Sequence, residues 1–403
     1  MAVLLALLVA CASSADEEAA IGRESPPPVP SRSRSVDTTV AVEPADDDAA
    51  GTPLPSNTTI APSGDLFLWM PDGVSDELLD RIRAADAVTR VAVLSSGTFH
   101  LTGTIGADGS PIQQPPEGFV IPVEGQVVAK DDYLAFVDSR HLAEFARLDD
   151  EGVVLSEASA KFRQASVGDR IRFEGGSERK VVAILDDAAL SNAEIVVTDP
   201  TLFAERTDPR QVVLIDHEGS AAELGAALKA MLPADAPARI GLRGPVQSGG
   251  APRGLVRSQL FIKAHFGEFA YRPGRGETFQ IDPDWVAQNI VDVDIPLLGP
   301  GKCHREFAAR LTEVMEQLIT DGLEELVDTY SGCWNPRYIA GSNRLSHHAW
   351  GIAADMNFFN PADDRAGSPV HPELLKRLEN AGLVSGHRFT TPDPGHFEFY
   401  DPE

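Results

Sequence analysis

A histidine and an aspartate seven positions apart frame the most constraining stretch of this 403-residue chain, Ser346-His347-His348-Ala349-Trp350-Gly351-Ile352-Ala353-Ala354-Asp355. If Gly351 to Asp355 is extended, the two-residue period of a strand puts Gly351, Ala353 and Asp355 on one face. Two of those residues are small, so another backbone or a ligand can come close. Asp355 can then aim an oxygen at the imidazole of His348, and the two make a pair of metal ligands. His347, next door, is expected to point the other way in a structural role.

A third donor stands near the end of the chain. In Asp393-Pro394-Gly395-His396-Phe397-Glu398, His396 opens a strand and Asp393 lies three residues upstream in a Pro/Gly turn. Two His and one carboxylate leave the fourth position of a tetrahedral Zn2+ open, the arrangement of a hydrolytic site. Such a site brings the pKa of its water from about 15.7 toward about 7. A carboxylate beside it, Asp393, would take the proton and hand it to a leaving amine. The cation such chemistry needs for an oxyanion or a substrate carboxylate is Arg337, in Asn335-Pro336-Arg337-Tyr338; a surface ion pair is the plain alternative. Ser346 either lies near substrate or hydrogen-bonds the local turn. Glu398, two residues past His396 on the same strand face, is placed to support the metal or its water from behind.

These residues, Ser-x-His-x-x-Gly-x-Ala-x-Asp at Ser346 to Asp355 and Asp-Pro-x-His-Phe-Glu at Asp393 to Glu398, resemble the zinc D-alanyl-D-alanine carboxypeptidases of the VanY type. The resemblance runs from about Phe266 to the C-terminus and takes in Gly332-Cys333 and Arg337. It implies zinc ligands His348, Asp355 and His396, a catalytic base at Asp393, Arg337 as cationic stabiliser and Ser346 near substrate. The implied activity is cleavage of peptide bonds next to D-amino acids in peptidoglycan stem peptides, either as a carboxypeptidase or as an endopeptidase. A protein that only binds wall peptide is the rival from another class, and retention of His348, Asp355, His396 and Asp393 together argues against it. One departure stands in the pocket wall: many relatives carry Trp-Gly-Gly where this chain has Ser385-Gly386-His387-Arg388-Phe389.

The rest of the chain addresses and positions that chemistry. Residues 1 to 10, MAVLLALLVA, are too short to span a bilayer at roughly 20 residues but fit a secretory h-region. They run into Leu8-Val9-Ala10-Cys11, which resembles a bacterial lipobox and makes Cys11 the expected lipidated residue; residues 1–11 are thus the signal. Residues 12–64, rich in Pro, Ser, Thr, Ala and Asp, are expected to form a disordered tether. Together these imply an exported protein held to a membrane surface through Cys11. In that compartment Cys303 and Cys333 are expected to pair as a disulfide, two reduced buried thiols being the alternative.

Residues 65–240 read as a strand-rich α+β domain. Predicted strands are Val91 to Leu94, Phe119 to Val123, Ile171 to Phe173, Lys180 to Leu185, Glu194 to Thr198 and Gln211 to Ile215. A helix capped by Ser75 is predicted over Asp76 to Ala85 and another over Ala221 to Met231. Val154 to Ala160 followed by Val167-Gly168-Asp169-Arg170-Ile171 resembles the extracytoplasmic core domain of MacB-type ABC permeases, which implies a contact or positioning module, with an envelope transporter or other protein as its partner; a spacer domain with a generic hairpin is the plain alternative. A Gly-rich linker, Gly241 to Arg257, leads into residues 258–403, with helices predicted over Arg305 to Asp321 and Pro372 to Ala381 and strands around Tyr338, Ile352 to Phe358 and Phe397 to Tyr400. The fold class is α+β throughout. The net charge of −27, from 34 Lys and Arg against 61 Asp and Glu, excludes general nucleic-acid binding, which needs a basic surface.

Overall fold

The computed structural model describes residues 65–400 except 71, 191–192, 204–209, 234–235, 237, 243–256, 275, 341–343, 358–369 and 390–391. Cys11, the predicted tether and most of the predicted linker lie outside the described residues. The linker reading started two residues early, because Gly241 and Leu242 belong to the strand Arg239–Leu242, paired with Leu66–Trp69.

The fold is α+β. One large sheet is organised by a single 18-residue strand, Val88–Ile105. Its first half pairs with Val212–His217, and its middle with Ile121–Val128. Its last residues pair with Arg170–Phe173. From Ile121–Val128 the order continues through Ile195–Val197, Gly152–Ser156, Glu178–Leu185 and Arg170–Phe173, so the path returns to the long strand and closes a ring. Closure needs a bend, and it comes at Gly103, where the register to Arg170–Phe173 shifts and a Cβ would lie 2.7 Å from the Gln113 carbonyl oxygen. Phe99, Leu101, Val123, Val153, Leu155, Ile171, Phe173, Val181 and Ile195 fill the ring. The helices Asp76–Arg83, whose first turn is capped by the Ser75 hydroxyl, and Ala221–Met231 pack on the open extension of the sheet.

Residues 259 to 400 build smaller units around a second core. The helix Arg305–Thr320 buries Phe307, Leu311, Val314, Met315 and Leu318, the 3.6-residue stripe that its sequence carries. Against it lie Trp350, Ile352, Phe397 and Phe399, and the helix Pro372–Asn380 adds Leu374 and Leu378. A three-stranded antiparallel sheet orders Ala353–Asp355, His396–Phe399 and Leu383–Ser385, with His396–Phe399 in the centre. Around Tyr338 the described residues form no strand, only isolated bridges from Arg337 to Thr278 and from Tyr338 to Leu345. Gly351 is not extended either: it has φ +70° and closes the short 3-10 turn His347–Trp350, so it does not share a strand face with Asp355. A Cβ there would meet the backbone nitrogen of His304 at 2.7 Å, so both conformation and space require glycine.

Candidate metal centre

Two adjacent strands and one turn bring the three predicted donors together. Asp355 and His396 are paired in register across the antiparallel strands, so their side chains leave the sheet on the same side. His348 comes from the turn His347–Trp350, which Ser346 caps by accepting the backbone N–H of His348. The ligand atoms of His348, Asp355 and His396 all lie within 4.8 Å of one another, and this is the sole such group among the described residues.

Each imidazole is oriented from outside. His348 Nδ1 donates to the Cys333 carbonyl at 2.9 Å, which leaves the Nε2 lone pair directed at Asp355 Oδ1, 3.3 Å away. His396 Nε2 donates to Glu398 Oε1 at 3.0 Å and turns Nδ1 toward the same Asp355 oxygen at 2.8 Å. Lone pairs converging on one point are satisfied by protons on the imidazoles or by a metal ion between them, and outer partners of this kind are what fix a metal-ligating histidine. The residues present therefore fit a divalent metal with two nitrogen donors and one oxygen donor.

The electrostatics follow from this convergence. Burial disfavours the charged form of His396, but the hydrogen bonds and charges of Asp355 and Glu398 outweigh it and raise its pKa to about 10. Burial also works against the Asp355 carboxylate, yet the His348 and His396 imidazoles facing it, in their protonated forms, hold it well below the ordinary carboxylate range. Glu398 is held low in the same manner by His347 and His396. His347 is buried and donates from Nδ1 to Glu398 Oε1 at 2.9 Å, and the Tyr400 hydroxyl donates to the other Glu398 oxygen. His347 thus faces away from the ligand set but buttresses it through Glu398. Ala353, opposite Glu398 in register, is small where this buried carboxylate stands.

The remaining predicted residues lie on or beside the segments that lead into the ligands. Asp393 is exposed; its N–H donates to the Gly386 carbonyl and its own carbonyl accepts from His396 N–H. A Cβ on Gly386 would lie 2.4 Å from the Asp393 carbonyl oxygen, so the divergent Ser385 to Phe389 segment still needs its glycine to seat this turn. Ser346 is buried, its hydroxyl engaged by the turn. Arg337 lies on the segment leading to Ser346, with its carbonyl accepting the Ser346 N–H at 3.0 Å; among the described residues no carboxylate pairs with its guanidinium. Cys303 and Cys333 are bonded, with Cα atoms 5.0 Å apart, and the bridge ties the strand Gly299–His304 to the residue whose carbonyl orients His348. His347 takes the structural role expected of it, whereas the role of the Cys333 carbonyl was not readable in advance, because a backbone contact of this kind forms only on folding.

Residues 340–399 match a family model described as D-alanyl-D-alanine carboxypeptidase. The match supports a peptidase, contains Ser346, His348, Asp355, Asp393 and His396, and stops three residues short of Arg337. No curated protein matches the chain. Among solved structures, the periplasmic region of MacB from Actinobacillus actinomycetemcomitans is similar at 12% identity, over 45% of this chain and 89% of that one, with a TM-score of 0.29. The extracellular domain of the noncanonic ABC-type transporter YknZ from Gram-positive bacteria covers 41% of this chain and 93% of its own at 12% identity, TM-score 0.26. At these TM-scores the likeness carries no argument about function.

Proposed function

We propose that this protein is a zinc-dependent peptidase that trims peptidoglycan stem peptides, acting as a D-alanyl-D-alanine carboxypeptidase. The observation that carries the reading is the convergence of His348, Asp355 and His396, each imidazole held by an outer partner, inside the stretch that matches the family model. Bound there, zinc supplies Lewis acidity toward a carbonyl oxygen and lowers the pKa of water. His348 and His396 act as neutral nitrogen donors, kept in the right tautomer by the Cys333 carbonyl and by Glu398. Asp393, exposed on its Pro/Gly turn, accepts a proton and returns it to the leaving amine. Arg337, without a carboxylate partner among the described residues, binds the free C-terminal carboxylate or the developing oxyanion.

The apolar start of the chain and the lipobox pattern at Cys11 support export and a lipid anchor, with residues 12–64 as the tether to the catalytic body. Residues 65–240 are proposed as the part that contacts other envelope proteins. The test is a digest of purified muropeptides with the zinc-loaded protein, beside His348→Ala and Asp393→Ala, read by mass spectrometry. Loss of one terminal alanine by the parent alone is expected. Internal fragments would make it an endopeptidase, and intact peptides despite bound zinc would overturn the peptidase reading.

A further inference from the structure

The segment that carries Arg337 into Ser346 folds back on itself. The Arg337 carbonyl accepts from Ser346 N–H, Tyr338 bridges Leu345, and Ile339 N–H donates to the Arg344 carbonyl at 2.8 Å. One leg thus begins at Arg337 and the other ends at Ser346, the cap of the turn that bears His348. Each leg is gripped from residues 65–240. Arg344 pairs with Glu124 of the strand Ile121–Val128 at 2.8 Å. The Tyr338 hydroxyl meets the Tyr271 hydroxyl at 2.8 Å, and Tyr271 meets His100 Nε2 at 2.5 Å. His100 stands on the long strand Val88–Ile105, and its Nδ1 contacts Glu174 at 2.5 Å. A carboxylate only accepts, so Nδ1 donates to Glu174; in the neutral imidazole Nε2 then accepts from Tyr271, and Tyr271 accepts from Tyr338. Tyr271, His100 and Tyr338 are all buried, and Tyr271 is also locked to Val120 by two backbone hydrogen bonds of 2.8 Å.

We propose that Glu124 and the chain Glu174–His100–Tyr271–Tyr338 are positioning residues, through which residues 65–240 hold the Arg337 segment in its substrate-binding place. The proposal rests on the peptidase reading for what Arg337 does, but not for how it is held. Neither grip touches the metal ligands, so the two can be separated. A buried hydroxyl chain has one satisfied geometry, and an ion pair with its acid 15% and its base 29% exposed is more than a surface contact. A spacer would need neither.

Full-length protein carrying Tyr338→Phe, Glu124→Gln or Arg344→Gln is to be compared with the parent in two measurements. Amide hydrogen exchange should show the N–H groups of Ile339 and Ser346 exchanging about tenfold faster, with those of His396–Phe399 unchanged. Kinetics on a peptide ending in D-alanyl-D-alanine should show KM raised about tenfold with kcat and bound zinc nearly unchanged, and Glu124→Gln with Arg344→Gln no worse than either alone. Unchanged exchange at Ile339 and Ser346 would overturn the proposal, as would faster exchange with parental KM. A parent that hydrolyses nothing would overturn the peptidase reading instead, and the exchange data would still decide whether residues 65–240 hold the segment.

Discussion

Gly351 shows how one residue decides the geometry of the donors. With φ +70° and 2.7 Å between a Cβ and the His304 nitrogen, Gly351→Ala should cost about 1–3 kcal/mol in denaturant unfolding and weaken zinc binding by displacing His348. Unchanged stability would mean that the turn is held elsewhere. The His396 imidazole gives a second test. Asp355 and Glu398 raise its pKa to about 10, so below that value a proton occupies the nitrogen that a metal needs. Zinc affinity should therefore rise with pH, by about tenfold per unit from about pH 7 to about pH 9, in competition titrations of the zinc-free protein. A flat profile would remove His396 from the ligand set. The donor types and spacing were legible in the sequence because metal coordination restricts residue identity. The sequence-based reason given for Gly351 was not correct: the residue is needed for a left-handed turn and a close backbone approach, not to leave an extended face open.

At the level of elements, the helices were the most legible part. Ala221–Met231 has the predicted bounds, and Arg305–Thr320 differs by one residue, because apolar stripes and caps are local signals. The strands were less so. The predicted Val91 to Leu94 is a fragment of the strand Val88–Ile105, whose length is set by partners on both edges rather than by its own alternation. The disulfide is an element-level device, since it ties the strand Gly299–His304 to the loop whose carbonyl orients His348. It closes 30 residues, for which chain entropy gives about 3–4 kcal/mol. Replacing both cysteines by serine should lower unfolding free energy by about 2–4 kcal/mol and reduce zinc affinity together. A loss of stability with unchanged zinc affinity would show that the Cys333 carbonyl keeps its place without the bridge.

In the whole molecule, the two cores are joined by buried charge that neither half would explain alone. Arg163 and Glu194 come from residues 65–240, and Lys263 and Glu268 from the C-terminal part. Arg163 reaches Glu194 at 3.3 Å and Glu268 at 2.7 Å, and Lys263 reaches them at 2.7 Å and 3.2 Å. Two cations and two anions balance, and the Lys263 ammonium also donates to the Pro122 carbonyl. Removing one partner leaves buried charge uncompensated, so Glu194→Gln should cost about 3–5 kcal/mol in unfolding free energy, whereas a cost near zero would mean that water reaches the seam. No sequence pattern announced this quartet, because its members lie far apart in the chain and meet only when the two parts come together. The peptidase function proposed for this chain depends on His348, Asp355 and His396 holding one metal ion together. Anomalous diffraction at the zinc edge, from crystals of the zinc-loaded full chain, tests it most directly. One peak bounded by His348 Nε2, Asp355 Oδ1 and His396 Nδ1 is expected; a zinc peak elsewhere, or none among these three atoms, would rule this centre out.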